Sequence, residues 1–155
     1  MNRNAAARSL ILRRYLPWLA GLSLAWEIAQ LPLYTLWDEA DPGYIAFAVV
    51  HCTMGDILIG TVALALSLLL MRAGSPEQWP RTRIAVLTVI MTVAYTAVSE
   101  WINTVPLRSW EYSSLMPRLR LGEIELGLLP LAQWLLIPPL ALWLAFRPPS
   151  RVAPS

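Results

Sequence analysis

Apolar positions in this chain gather into four long stretches separated by short polar breaks. The stretches run from about Tyr15 to Trp37, from Tyr44 to Met71, from Ile84 to Trp101 and from about Leu126 to Phe146. A helix needs about 20 largely apolar residues to cross the hydrocarbon core of a bilayer. The pattern therefore predicts an all-α, four-helix transmembrane bundle with a single integral membrane domain over residues 1–155. The first two breaks carry ordinary punctuation: Asp38-Glu39-Ala40-Asp41-Pro42-Gly43 is an acidic turn, and Arg72 to Arg83 holds Gly74, Pro76 and Pro80. The third, from Asn103 to Glu125, is the longest. A basic start at Arg3, Arg8, Arg13 and Arg14 resembles a signal peptide. The apolar part is too long for one, and Glu27 and Gln30 interrupt it, so a retained helix is expected.

Composition agrees. The chain is 57% hydrophobic and only 14% charged, where soluble domains carry roughly 25% charged residues. All twelve basic residues are arginines. With abundant Ala, Leu, Trp and Pro, this points to a GC-rich bacterial genome and hence to a bacterial cytoplasmic membrane. The arginines also orient the bundle. With the N-terminus inside, nine of them (3, 8, 13, 14, 72, 81, 83, 147 and 151) face the cytoplasm, and only Arg108, Arg118 and Arg120 lie outside. The excess of basic loops on the cytoplasmic side predicts both termini there. No basic stripe exists outside the loops, so nucleic acid is not an expected partner.

Polar residues inside the spans are the informative ones, because an ionisable group in hydrocarbon costs several kcal/mol unless paired or wet. Glu27 and Gln30 are three apart on the first helix and share a face. The second helix carries His51, Cys52, Thr53 and Asp56. The third ends with Tyr95, Thr96, Ser99 and Glu100, then Asn103, and the fourth holds Gln133. Under the expected topology, Glu27, His51, Glu100 and Gln133 all fall between the bilayer middle and the outer surface. Glu27, His51, Asp56 and Glu100 are the candidate acid–base residues. Gln30, Tyr95, Asn103, Trp101, Trp110, Tyr112 and Gln133 are candidates for holding a substrate, Gln30 and Gln133 also fitting interhelical glue. His51 and Asp56 cannot face one point squarely on one helix unless Gly55 lets it bend. Pro32, Pro130, Pro138 and Pro139 are expected to kink the first and fourth helices.

No metal is called for: the chain has one histidine and no Glu-x-x-His repeat, short of the usual haem, zinc or di-iron ligand sets. No cofactor is indicated. One cysteine also excludes an internal disulfide.

From Ser99 the sequence reads SEWINTVPLRSWEYSSLMPRLRLGEIELGLLPLAQWLLIPPLALWL. It resembles the lycopene cyclase domain of carotenoid-synthesising membrane proteins. Glu100 and Asn103 match that family's acidic residue and Asn at a helix end. Trp110 and Tyr112 match its Trp-x-Tyr, Gly122 its glycine passage, and Pro130-Leu131 the opening of its next helix. The resemblance implies acid chemistry on a polyene. The two glutamates that follow Pro-Leu in the family are Ala132 and Gln133 here, so that position has no proton to give. The whole chain also resembles small four-span bacterial membrane proteins with similar HCTMGD and SEWINT stretches.

Two functions follow as expectations. One is an enzyme acting by acid–base chemistry on a lipid or isoprenoid held between the helices, by cyclisation, isomerisation or hydration. The other is a non-catalytic membrane subunit or assembly factor binding a partner helix, a cofactor or a second copy. Transport is disfavoured, since Leu58 to Met71 offers only Gly60, Thr61 and Ser67 to a polar path. Trp110, Tyr112, Leu115 and Met116 form an amphipathic patch, expected as a lid along the outer interface or as a plain loop.

Overall fold

The computed structural model describes residues 3–122 and 124–148, so Arg151 of the orientation count lies outside the described residues. The elements in order are α1 (Arg3–Leu10), a π-helical turn (Ile11–Tyr15), α2 (Leu16–Gln30), a 3-10 turn (Leu31–Leu33) and α3 (Leu36–Glu39). There follow α4 (Pro42–Leu70), a 3-10 turn (Pro76–Gln78), α5 (Arg81–Thr104), the strands β1 (Arg118–Leu121) and β2 (Ile124–Gly127), and α6 (Leu128–Phe146).

Three helices, α4, α5 and α6, are long and apolar enough to cross a membrane. Their bounds fall within three residues of the expected spans. The first stretch differs. Helix begins upstream of Tyr15, at Arg3, and α2 ends at Gln30 instead of continuing to Trp37. Pro32 has no amide hydrogen to give Ile28 O and its ring crowds that carbonyl, so the α-helix gives way to a 3-10 turn there. α4 starts where Asp41 caps it: its Oδ1 accepts from the Gly43 and Tyr44 amides at 2.9 and 3.1 Å, with Pro42 in the first turn.

α2 and α5 each pack against both α4 and α6, closing a four-helix arrangement. The inward faces are more polar than the outward ones. α5 buries Ile84, Thr88, Thr92, Thr96 and Glu100, every fourth residue, and exposes Val86, Ile90 and Val98. α4 buries Thr53, Asp56, Gly60 and Ser67 and exposes Leu58, Val62, Leu66 and Leu69. Such an inverted pattern is stable in lipid, where outward apolar side chains lose nothing, and costly in water.

The two ends of the bundle are unlike. At one end Tyr15, Leu19, Leu64, Trp79, Ile84, Ile137 and Ala141 form a dry core. There Arg14 donates to the Arg147 carbonyl, and the Arg81 guanidinium lies 4.0 Å from the Phe146 ring centre. Ser67 and Thr88 join α4 to α5, with Thr88 donating to Ser67 Oγ at 3.0 Å. Arg14, Arg81 and Arg147 thus gather at this end. The other end holds the acidic turn and the third connection.

That connection is irregular from Trp110 to Met116, apart from a bridge between Tyr34 and Tyr112, and then forms a hairpin. β1 and β2 pair antiparallel as a tight hairpin, turned at Gly122 with φ +64°, a left-handed conformation glycine adopts without a steric penalty. Arg118 and Arg120 on β1 both pair with Glu125 on β2, and these charges hold Glu125 below the ordinary carboxylate range. Ahead of the hairpin, the chain pairs with the end of the first helical run. The Thr35 amide donates to Glu111 O at 3.1 Å, the Ser113 amide to Leu33 O at 2.9 Å, and Ser113 Oγ to Pro32 O at 3.0 Å.

Candidate functional site

Four helices deliver polar side chains to one place. On α2, Ser23, Glu27 and Gln30 follow Leu19 along the buried face at three- and four-residue spacing. α4 supplies Thr53 and Asp56, α5 supplies Thr96 and Glu100, and α6 supplies Gln133 one turn after Pro130. Glu27, Gln30, Asp56, Glu100 and Gln133 are all buried.

Each carboxylate has a neutral hydrogen-bond donor. Gln30 Nε2 donates to Glu27 Oε1 at 2.8 Å, while its own Oε1 accepts from the Trp26 indole at 3.1 Å. Gln133 Nε2 donates to Asp56 Oδ2 at 2.5 Å. Glu27 adjoins both Asp56 and Gln133, so two carboxyl groups and two amides form a continuous cluster across α2, α4 and α6. Glu100 accepts from the Tyr112 hydroxyl. Burial and the adjoining Glu100 carboxylate push the Tyr112 phenol above its ordinary value, so it remains a donor.

Tyr112 reaches Glu100 because the third connection is tied down. Its ring packs on Tyr34, centroids 5.8 Å apart, and its oxygen accepts from the Gly127 amide at 3.0 Å. A Cβ on Gly127 would lie 3.0 Å from Tyr112 Cε1 and 3.2 Å from Pro130 Cδ, so only glycine admits the ring as placed.

The cluster borders a cavity of about 500 Å³. Glu27, Asp56, Glu100, Gln133 and Trp134 line it, with Tyr34 and Trp110 from the connecting segments. Phe47 and His51 of α4 and Tyr95 of α5 also line it and are themselves exposed, so it opens between α4 and α5 onto the side of the bundle. Three buried polar atoms have no hydrogen-bond partner among the described residues: Ser23 Oγ, Thr53 Oγ1 and Trp110 Nε1. Ser23 and Thr53 lie about one turn from Glu27 and Asp56 on the same faces, and Trp110 adjoins Glu100. Orphan polar atoms are rare in folded interiors, and these three sit beside the cluster.

Ten of the eleven expected site residues fall on or beside this cavity. Gln30, Tyr95, Asn103, Trp110 and Gln133 line it directly, and Tyr112 supports Glu100 from behind. Asn103 also donates to Ser99 O at 2.8 Å. Trp101 is the exception: it is exposed on α5, away from the cavity lining. His51 is brought to the mouth only. It stacks on Phe47 with centroids 5.6 Å apart and makes no hydrogen bond to a carboxylate among the described residues. α4 runs unbroken through Gly55, so the two side chains keep their divergent directions. Tyr34, Thr96 and Trp134, which are not among the expected site residues, also line it. Thr96, one turn before Glu100 on the buried face, had a legible signal.

Among the described residues no group of three or more His, Cys, Asp or Glu side chains has the geometry to hold a metal ion. Comparison with family models, with curated proteins and with solved structures finds no match for this chain.

Proposed function

We propose that the chain is a four-span membrane protein of the bacterial cytoplasmic membrane that modifies a lipid or isoprenoid by acid–base chemistry in the outer half of the bilayer. The observation that carries this reading is the Glu27–Asp56 cluster, buried at the wall of a cavity that opens sideways between α4 and α5. Two adjoining carboxyl groups in a low-dielectric site share protons unequally, so one serves as acid while the other serves as base. Neutral amides from Gln30 and Gln133 orient both without quenching either by charge.

The fourth span is the first apolar stretch, built on α2. α2 alone has 15 residues, about 22 Å of rise and short of the roughly 30 Å hydrocarbon core. The π turn before it (Ile11–Tyr15) and the 3-10 turn after it (Leu31–Leu33) lengthen the run, with Arg13 and Arg14 at its basic end, and Leu12, Trp18, Leu24 and Ile28 are exposed along it. The arginine-rich end is cytoplasmic under the positive-inside rule, which leaves the cavity toward the outer leaflet. The likeness to the lycopene cyclase domain is compatible with this chemistry in an altered form. At the position of the family's glutamates stands Gln133, which here holds a carboxylate supplied by α4.

The test is mass spectrometry of lipid extracts from cells expressing the wild type, Glu27→Gln or Asp56→Asn. A lipid species present with the wild type and lost with either inserted, folded variant supports the enzyme reading. Identical profiles across all three contradict it and favour a non-catalytic subunit.

A further inference from the structure

The cavity wall is rich in acceptors and poor in cations. Glu27, Asp56 and Glu100 line the cavity, and each accepts a hydrogen bond from a neutral donor. No arginine lines it. The arginines with described contacts lie elsewhere: Arg14, Arg81 and Arg147 at the opposite end, Arg118 and Arg120 on the hairpin. A phosphate or carboxylate head would therefore meet three carboxyl groups, with His51 at the mouth as the one basic side chain in the lining.

Aromatic rings complete the wall. Tyr34, Tyr44, Phe47, Tyr95, Trp110 and Trp134 line the same space. A ring face attracts a cation, and the attraction grows when water is excluded. Carboxylates set among aromatic faces are the combination that recognises ammonium groups. The side opening between α4 and α5, flanked by Phe47 and Tyr95, admits such a head while its tail stays in lipid.

We propose that the cavity binds the ammonium head of a single-chain amphiphile, entering from the bilayer between α4 and α5, with Glu27, Asp56 and Glu100 as its acceptors. This rests on the acid–base reading of the same cluster and adds the class of its ligand. An ammonium brings three donors to three carboxyl groups and presents its charge to the ring faces around them.

The experiment uses wild-type protein in phosphatidylcholine nanodiscs, with dodecylamine, dodecanol and dodecyl phosphate compared by native mass spectrometry at pH 7. The expected result is dodecylamine binding at least tenfold tighter than dodecanol, with dodecyl phosphate weakest. Glu27→Gln and Asp56→Asn should each cut the amine preference at least fivefold. Glu100→Gln serves as a third variant if either fails to insert. Equal binding of amine and alcohol, preference for the phosphate, or an amine preference unchanged in the inserted variants would each overturn the inference. Any of these beside a lipid product that still depends on Glu27 and Asp56 would leave the acid–base reading standing.

Discussion

The Tyr112 hydroxyl donates to the Glu100 carboxylate while accepting from the Gly127 amide at 3.0 Å. This one oxygen links the C-terminal end of α5 to the last residue of the hairpin, and so the third connection to the site. Tyr112→Phe removes both bonds and leaves Glu100 buried without its donor. The expected cost is about 1–3 kcal/mol, read as a lower unfolding midpoint in detergent.

Gly127→Ala reaches the same contact from the other side. Its new methyl would press on the Tyr112 ring and on Pro130. Destabilisation of about 1–3 kcal/mol is expected from the overpacking. Because the ring is already displaced, adding Tyr112→Phe to Gly127→Ala should cost clearly less than it does alone. Strict additivity in that double-mutant cycle would show the two residues to be uncoupled.

The Gln133–Asp56 bond makes a parallel case inside the bundle. Gln133→Leu strands a buried carboxyl group and is expected to cost about 1–3 kcal/mol. Asp56→Leu combined with Gln133→Leu should cost less than the two single changes together, since no orphan remains. Equal losses would mean that each side chain is satisfied independently.

Most of this fold was legible because lipid burial needs long apolar runs, and α4, α5 and α6 lie close to where those runs fall. The buried polar residues stand out for the same reason: Glu27, Asp56 and Glu100 are conspicuous against leucine and valine. Which of them touch was not. Gln133 pairing with Asp56 joins residues 77 positions apart and depends on the order in which the helices pack. The hairpin escaped notice because Arg118, Leu119, Arg120 and Leu121 are exposed, so no buried face disciplines the pattern. Its pairing comes from a glycine turn and from Glu125 meeting two arginines, signals too local to stand out beside an apolar helix.

Hairpin stability should fall in acid. Arg118 and Arg120 lower the Glu125 value, so their contribution is fully present above the ordinary carboxylate range, about pH 4.3. It is lost as pH drops through the lowered folded value. Hydrogen-exchange protection of the β1 and β2 amides, corrected for intrinsic rates, should decline below about pH 4 and with added salt. Protection independent of both would remove the ion pairs from any structural role.

His51 separates the present site from the constellation expected from sequence alone. It is exposed and stacked on Phe47, outside the carboxylate cluster. His51→Ala should change stability by no more than about 0.5 kcal/mol. It should also leave the wild-type lipid profile in place, where Glu27→Gln and Asp56→Asn erase it. Loss of the profile in His51→Ala would restore the histidine to the catalytic set.

The most direct measurement is reconstitution of the purified protein alone, as wild type and as Asp56→Asn, into liposomes made from the lipids of the expressing cell. Lipid composition is then followed over time by mass spectrometry. The expected result is conversion of one lipid species by the wild type and none by Asp56→Asn at equal insertion. No conversion by the wild type, or equal conversion by both, would contradict acid–base chemistry at the Glu27–Asp56 cluster.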